Sequence, residues 1–142
     1  ETLIASILYM ITSGATASTQ YAYAEMLRLS TEGLLNFVED TREYAVRAER
    51  MKKIFTENGF HIVYDHDVTQ AVGDGFFFTI GYGDMEGGEL LRELLYYGVS
   101  SISLSTTGSG QKGVRACTSR MNDELYPVLE ERMKLFAEDH TL

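Results

Sequence analysis

Apolar residues recur at spacings of three and four along several parts of the chain, and each such run predicts a helix. In TREYAVRAERMKKIFTENG, Tyr44, Ala48, Met51 and Phe55 share one helical face while charges take the other, which predicts a helix over 41–58. Asp40 or Thr41 is its candidate N-cap, and Gly59 its candidate stop. ELLRELLYYG predicts a shorter helix with Leu90, Leu91, Leu94 and Leu95 as its buried stripe and Gly98 at its end. A further helix over 122–138 carries Leu125, Leu129, Met133 and Phe136 on one face. Pro127 implies either an irregular first turn or a regular helix that begins there. Strong helix formers from Ala15 to Leu29 extend a helical reading over 3–29, with Gly14 as the candidate break and TEGLLNF, around Gly33, as a second one.

Other stretches read as strands. HIVYD (61–65) is one, followed by a loop, HDVTQAVGDG. GFFFTIGY (75–82) is nearly continuously apolar, the pattern of a central strand. VSSISLS (99–105) and GVRACTS (113–119) are two more, joined by a loop, TTGSGQK, with two glycines and one lysine. The order is helix, helix, strand, strand, helix, strand, strand, helix. Short strands with helices on one face make an α+β layer: a small antiparallel or mixed sheet of about four strands covered by helices. No repeat, linker or low-complexity tract interrupts it.

Composition narrows the classes. The 142 residues are one domain's worth of chain, and 44% hydrophobic residues are enough for a real core. A formal net charge of -9 argues against a nucleic-acid or anionic-membrane partner, since both need a basic face. The single cysteine, Cys117, has no internal disulfide partner, which fits a reducing compartment, most simply the cytoplasm. LIASILYMI is too short to span a bilayer and lacks the basic flank of a signal peptide. The chain opens at Glu1 directly into this apolar segment with no capping residue, which reads as a piece of a longer protein.

The candidate chemistry lies in TTGSGQKGVRACTSR (106–120). Gly108, Gly110 and Lys112 do not have phosphate-loop spacing: no Ser or Thr follows the lysine, and a strand rather than a helix comes next. The simple reading is a mobile connection with Lys112 in solvent. Arg115 sits in a strand of small and apolar residues. By alternation it shares a face with Cys117, opposite Val114 and Ala116. From spacing alone it is a surface group paired with one of the many acids; were it buried, its planar fork would suit a carboxylate. His66 in YDHD has no second spaced histidine to make a metal site, and reads as part of a solvated loop. Cys117 reads as a small buried thiol. Tyr9, Tyr21, Tyr23, Tyr96 and Tyr97 lie at helical spacings that mark core or interface.

Three segments then carry a resemblance. They are ITSGATASTQYAYAEML, TREYAVRAERMKKIFTENGFHI and YYGVSSISLSTTGSGQKGVRACTS. In order and spacing they resemble the C-terminal end of the fold-type I pyridoxal-phosphate-dependent aminotransferases, across the whole chain. The resemblance implies that 1–35 is the helical tail of the large domain. It makes 36–142 the C-terminal small domain, including a long interdomain helix, 41–58. It assigns Arg115 to the α-carboxylate of an amino-acid or 2-oxo-acid substrate, with Ser105, Thr106 and Thr107 as neighbours. It implies a homodimeric cytoplasmic parent with pyridoxal phosphate as cofactor. The loop departs from the family's frequent proline–glycine pattern.

None of Lys52, Lys53, Lys112 and Lys134 matches the Schiff-base lysine. No catalytic or cofactor-binding residue is therefore expected in this chain, and alone it is expected to be inactive, lacking the N-terminal large domain. Leu3, Ile4, Ile7, Leu8, Met10 and Ile11 would pack on that domain. Without it, self-association or disorder of roughly the first thirty residues is expected. The alternatives are a non-catalytic α+β module for a small ligand or a subunit, or another fold-type I enzyme such as a lyase, decarboxylase or acyl-transferring synthase.

Overall fold

The computed structural model describes residues 7, 9–73 and 75–140. The chain divides into two compact units, Glu1–Asp40 and Thr41–Leu142. In the first, α1 (Tyr9–Thr12) and α2 (Ala17–Thr31) are separated at Ser13 and Gly14, both with positive φ. The expected break near Gly14 is therefore present. α2 ends where Gly33 turns left-handed and Leu34 N–H reaches back to the Leu29 carbonyl, so the break around Gly33 is a C-cap. α2 buries no residue. Tyr9, Tyr21 and Tyr23 are exposed and belong to no core, and Ile7, Met10 and Ile11 are exposed as well. Leu3, Ile4 and Leu8 lie outside the described residues.

The second unit has the α+β architecture. α3 (Phe37–Glu57), whose first residues belong to the first unit, begins four residues before the expected start. Asn36, rather than Asp40 or Thr41, caps it by accepting the Glu39 N–H at 3.1 Å. Gly59, at φ 86°, stops it as expected. The sheet is antiparallel throughout, with order β1 (Phe60–Ile62), β4 (Phe77–Tyr82), β6 (Val114–Cys117), β5 (Ile102–Ser103). β4 is central, as its apolar run predicts.

The stretch after β1 is more than a loop. His66–Asp67 (β2) and Gln70–Ala71 (β3) form a two-stranded hairpin. Its turn places Val68 at φ 55°, a conformation that valine rarely adopts, so no Gly or Asn marks the turn in the sequence. The strand expected over 99–105 shrinks to β5. Gly98 and Val99 N–H groups cap α4 (Gly87–Tyr96) by donating to the Leu95 and Leu94 carbonyls, and Leu104–Thr107 closes into a 3-10 turn.

α3, α4 and α5 (Leu125–Asp139) all pack on one face of the sheet. The core joins Ala48, Met51 and Phe55 to Leu90 and Leu94, to Leu129, Met133 and Phe136, and to the sheet residues Phe78, Ile80, Tyr82, Val114 and Ala116. Two expected core positions fail. Leu95 is 53% and Leu125 41% exposed, because a ten-residue helix buries a narrower stripe than its four leucines suggest, and Leu125 is the first residue of α5. Pro127 sits within the first turn of α5, where it removes no intrahelical hydrogen bond. Two glycines let α4 and the sheet approach closely. A Cβ on Gly87 would lie 2.3 Å from the Gly113 carbonyl oxygen, and one on Gly113 would lie 2.5 Å from that of Ile80.

Candidate functional site

The second face of the sheet alternates with the first. On β6, Val114 and Ala116 point into the core while Arg115 and Cys117 point the other way, as alternation predicts. On β4, Phe77 and Thr79 join them, and no helix of 41–142 contributes a core residue from this side. Phe77 remains 43% exposed and Ile102 41%. Register sets Arg115 directly between Thr79 on β4 and Ile102 on β5.

Arg115 is half-buried. Its guanidinium carbon lies 4.1 Å from the centre of the Phe77 ring, a cation–π contact. Among the described residues it makes no ion pair and no side-chain hydrogen bond. The acid partner that the surface-pair reading expects for Arg115 is not found among the described residues, although the chain carries 21 acids against 12 bases. A guanidinium has five N–H donors in a fixed fork, and one resting on an aromatic face keeps its edge free for a planar anion.

Ser105, Thr106 and Thr107 form the 3-10 turn that follows β5 and are exposed. Ser105 Oγ shares a hydrogen bond with Ser103 Oγ at 2.8 Å, and Thr107 Oγ1 donates to the Leu104 carbonyl at 2.8 Å. The turn continues past Gly113, whose carbonyl accepts the Leu104 N–H, whereas Arg115 lies opposite Ile102. No hydrogen bond links Arg115 to any of the three.

The glycine-rich loop is tied down. Ser109 Oγ bonds Tyr64 Oη at 2.5 Å and accepts the Gln111 N–H at 3.0 Å. Lys112 is exposed, as expected, and there donates to the Asp84 carbonyl at 3.0 Å and pairs with Glu86 at 3.2 Å. Its spare donors thus secure the start of α4. Cys117 is exposed, not buried, with Sγ 3.2 Å from Ser119 Oγ. His66 pairs with Asp65 in an exposed hairpin. Among the described residues no group of three or more His, Cys, Asp or Glu side chains is placed to hold a metal ion.

Sequence reading missed two features of this face. Phe77 is the partner of Arg115, and the His61 ring lies over Gly81, where a Cβ would meet it at 2.6 Å. Both depend on strand register, which no local spacing encodes. Compared with known proteins, the chain matches no family model and no curated protein. Among the described residues no helix is long and apolar enough to cross a membrane.

Proposed function

We propose that this chain is the carboxylate-binding small-domain portion of a pyridoxal-phosphate-dependent aminotransferase, with Arg115 holding the α-carboxylate of the amino or 2-oxo acid. One observation carries the reading: a half-buried guanidinium stacked on Phe77, with no acid partner among the described residues, on the sheet face that bears no core helix of this unit. A half-buried guanidinium is only partly desolvated, and its free donors can hold a bound carboxylate with two parallel charge-assisted hydrogen bonds.

The cofactor itself does not fit the residues of this chain. Lys53 pairs with Glu57, Lys112 with Glu86, and Lys52 lies 5.8 Å from the Phe78 ring on the core side of the sheet. Lys134 projects from α5. The reading therefore assigns pyridoxal phosphate and the Schiff-base lysine to the rest of the parent enzyme. It carries with it a cytoplasmic homodimer. Ser105–Thr107 stay within it only as residues that would approach the substrate on domain closure.

The test is made in the parent enzyme. Arg115→Ala should weaken the apparent affinity for both amino acid and 2-oxo acid by at least about a hundredfold. Arg115→Lys should recover little, because the ammonium lacks the fork. Unchanged affinity in Arg115→Ala sinks the assignment. The second reading is a non-catalytic small-ligand module, favoured by the lack of a free lysine amine beside Arg115. It predicts that the chain alone binds small carboxylates through Arg115 and that no transamination accompanies it.

A further inference from the structure

A second guanidinium with no ion pair among the described residues, that of Arg132, lies on the opposite side of the sheet. A cavity of about 210 Å³ opens between α3, α5 and the segment 98–101. Its lining is mostly apolar, with Met51, Phe55, Ile80, Leu94 and Leu129 in it, and Ser101, whose buried Oγ has no hydrogen-bond partner among the described residues, adds a polar group. Arg132, on α5, is the cationic residue in its lining.

The placement of Arg132 is built in. Its Nη1 donates to the Gly98 carbonyl at 2.9 Å. The guanidinium lies flat against Gly98, where a Cβ would sit 2.9 Å from Nη1, 3.1 Å from Cζ and 3.3 Å from Nη2. Gly98 also has φ 71°, a left-handed conformation that ends α4 and favours glycine. Among the described residues Arg132 makes no ion pair, and its one side-chain hydrogen bond is the one to Gly98. Most of its donors are thus uncommitted at the mouth of an apolar cavity, in a chain with a surplus of acids.

An apolar enclosure with one convergent cationic fork is complementary to a ligand with a hydrophobic body and a single planar anionic end. We propose that this cavity binds a small amphipathic carboxylate, an arylalkanoate or medium-chain alkanoate. The tail lies against Phe55, Leu94 and Leu129, and the carboxylate lies on Arg132. The site is distinct from the Arg115 face: Met51, Phe55, Ile80 and Leu94 of its lining belong to the core and Arg115 is not part of it, although Cys117, at the end of β6, borders it.

The experiment uses the full chain and 4-phenylbutyrate, followed by calorimetry and by NMR shifts of the Leu94, Leu129 and Met51 methyl groups. Saturable binding with shifts at those methyls is expected. Arg132→Gln, at a partly exposed site where the fold should tolerate it, should weaken binding about tenfold or more. The uncharged 4-phenylbutanol should bind the wild-type chain about as weakly as the acid binds Arg132→Gln. Ala116→Leu, which fills the cavity, should abolish binding while circular dichroism reports a folded chain. In Arg115→Ala the saturable shifts of the Leu94, Leu129 and Met51 methyl groups should persist, which separates this site from the proposed substrate clamp. Absence of saturable methyl shifts overturns the proposal. So does binding indifferent to Arg132→Gln, and so does binding lost in Arg115→Ala and kept in Arg132→Gln, which places the carboxylate on the other face.

Discussion

The two faces of the sheet share strands but not their physics. The helix-covered face presents Phe78, Ile80, Val114 and Ala116 to three helices and is nearly dry. The open face presents Phe77, Thr79, Arg115 and Cys117 one residue out of phase, with a cation that meets an aromatic ring and no acid among the described residues. A shift of one residue in register would exchange the two sets, so the dry face specifies the register and the open face inherits its arrangement. Stability and chemistry are therefore separable here, and substitution on each face should show it.

The largest effect is expected at the centre of the dry face. Phe136 is fully buried and touches Phe60, Tyr82, Tyr97 and His140. Phe136→Ala should cost about 3–5 kcal/mol in chemical denaturation. A loss below about 1 kcal/mol would mean that the core is not organised around this ring. Gly113→Ala should come next. It forces a Cβ to within 2.5 Å of the Ile80 carbonyl oxygen at φ 131°, and should cost about 3 kcal/mol. A neutral outcome there would show that β4 and β6 can separate without penalty.

The open face should behave differently. Arg115→Ala should change stability by no more than about 0.5 kcal/mol, since it removes only a partly exposed cation–π contact. A larger loss would make Arg115 a structural residue and erase the distinction between the faces.

The smallest effect concerns the rim of the dry face, where α4 meets α5. Tyr97 donates to Asp139 at 2.6 Å, and this bond, with burial adding to it, pushes the phenol up from 10.0 to about 12. A raised pKa means that the protonated phenol is favoured in the folded state. Its contribution is complete below about pH 10 and disappears as the pH rises through about 12. The stability difference between wild type and Tyr97→Phe should thus be flat to pH 10 and vanish above 12. A difference that persists above 12 would remove the Asp139 bond as its cause.

Part of the fold was legible because its cause is local. Gly59 and Gly98 end their helices because a left-handed residue must follow each, and glycine adopts it without strain. The alternation of Val114, Arg115, Ala116 and Cys117 follows from the pleat alone. Where the sequence misled, distant partners or atypical residues intervened. Asn36 starts α3 early because its carbonyl oxygen reaches Glu39 N–H, although Asp40 and Thr41 look equally able to cap. The β2–β3 hairpin escapes notice because a valine takes a position that glycine or asparagine usually marks.

The sequence by itself determined the periodicity of the helices, their stops, the central place of Phe77–Tyr82 and the side of the strand on which Arg115 stands. These depend on propensity and period, which each residue and its near neighbours carry. Only the tertiary structure decided that Arg115 meets Phe77 rather than an acid, that Lys112 is bound to Glu86 rather than free, and that Arg132 lies over Gly98 at the mouth of a cavity. Each joins residues well separated along the chain, and such pairs are set by strand register and helix packing, which no local pattern encodes.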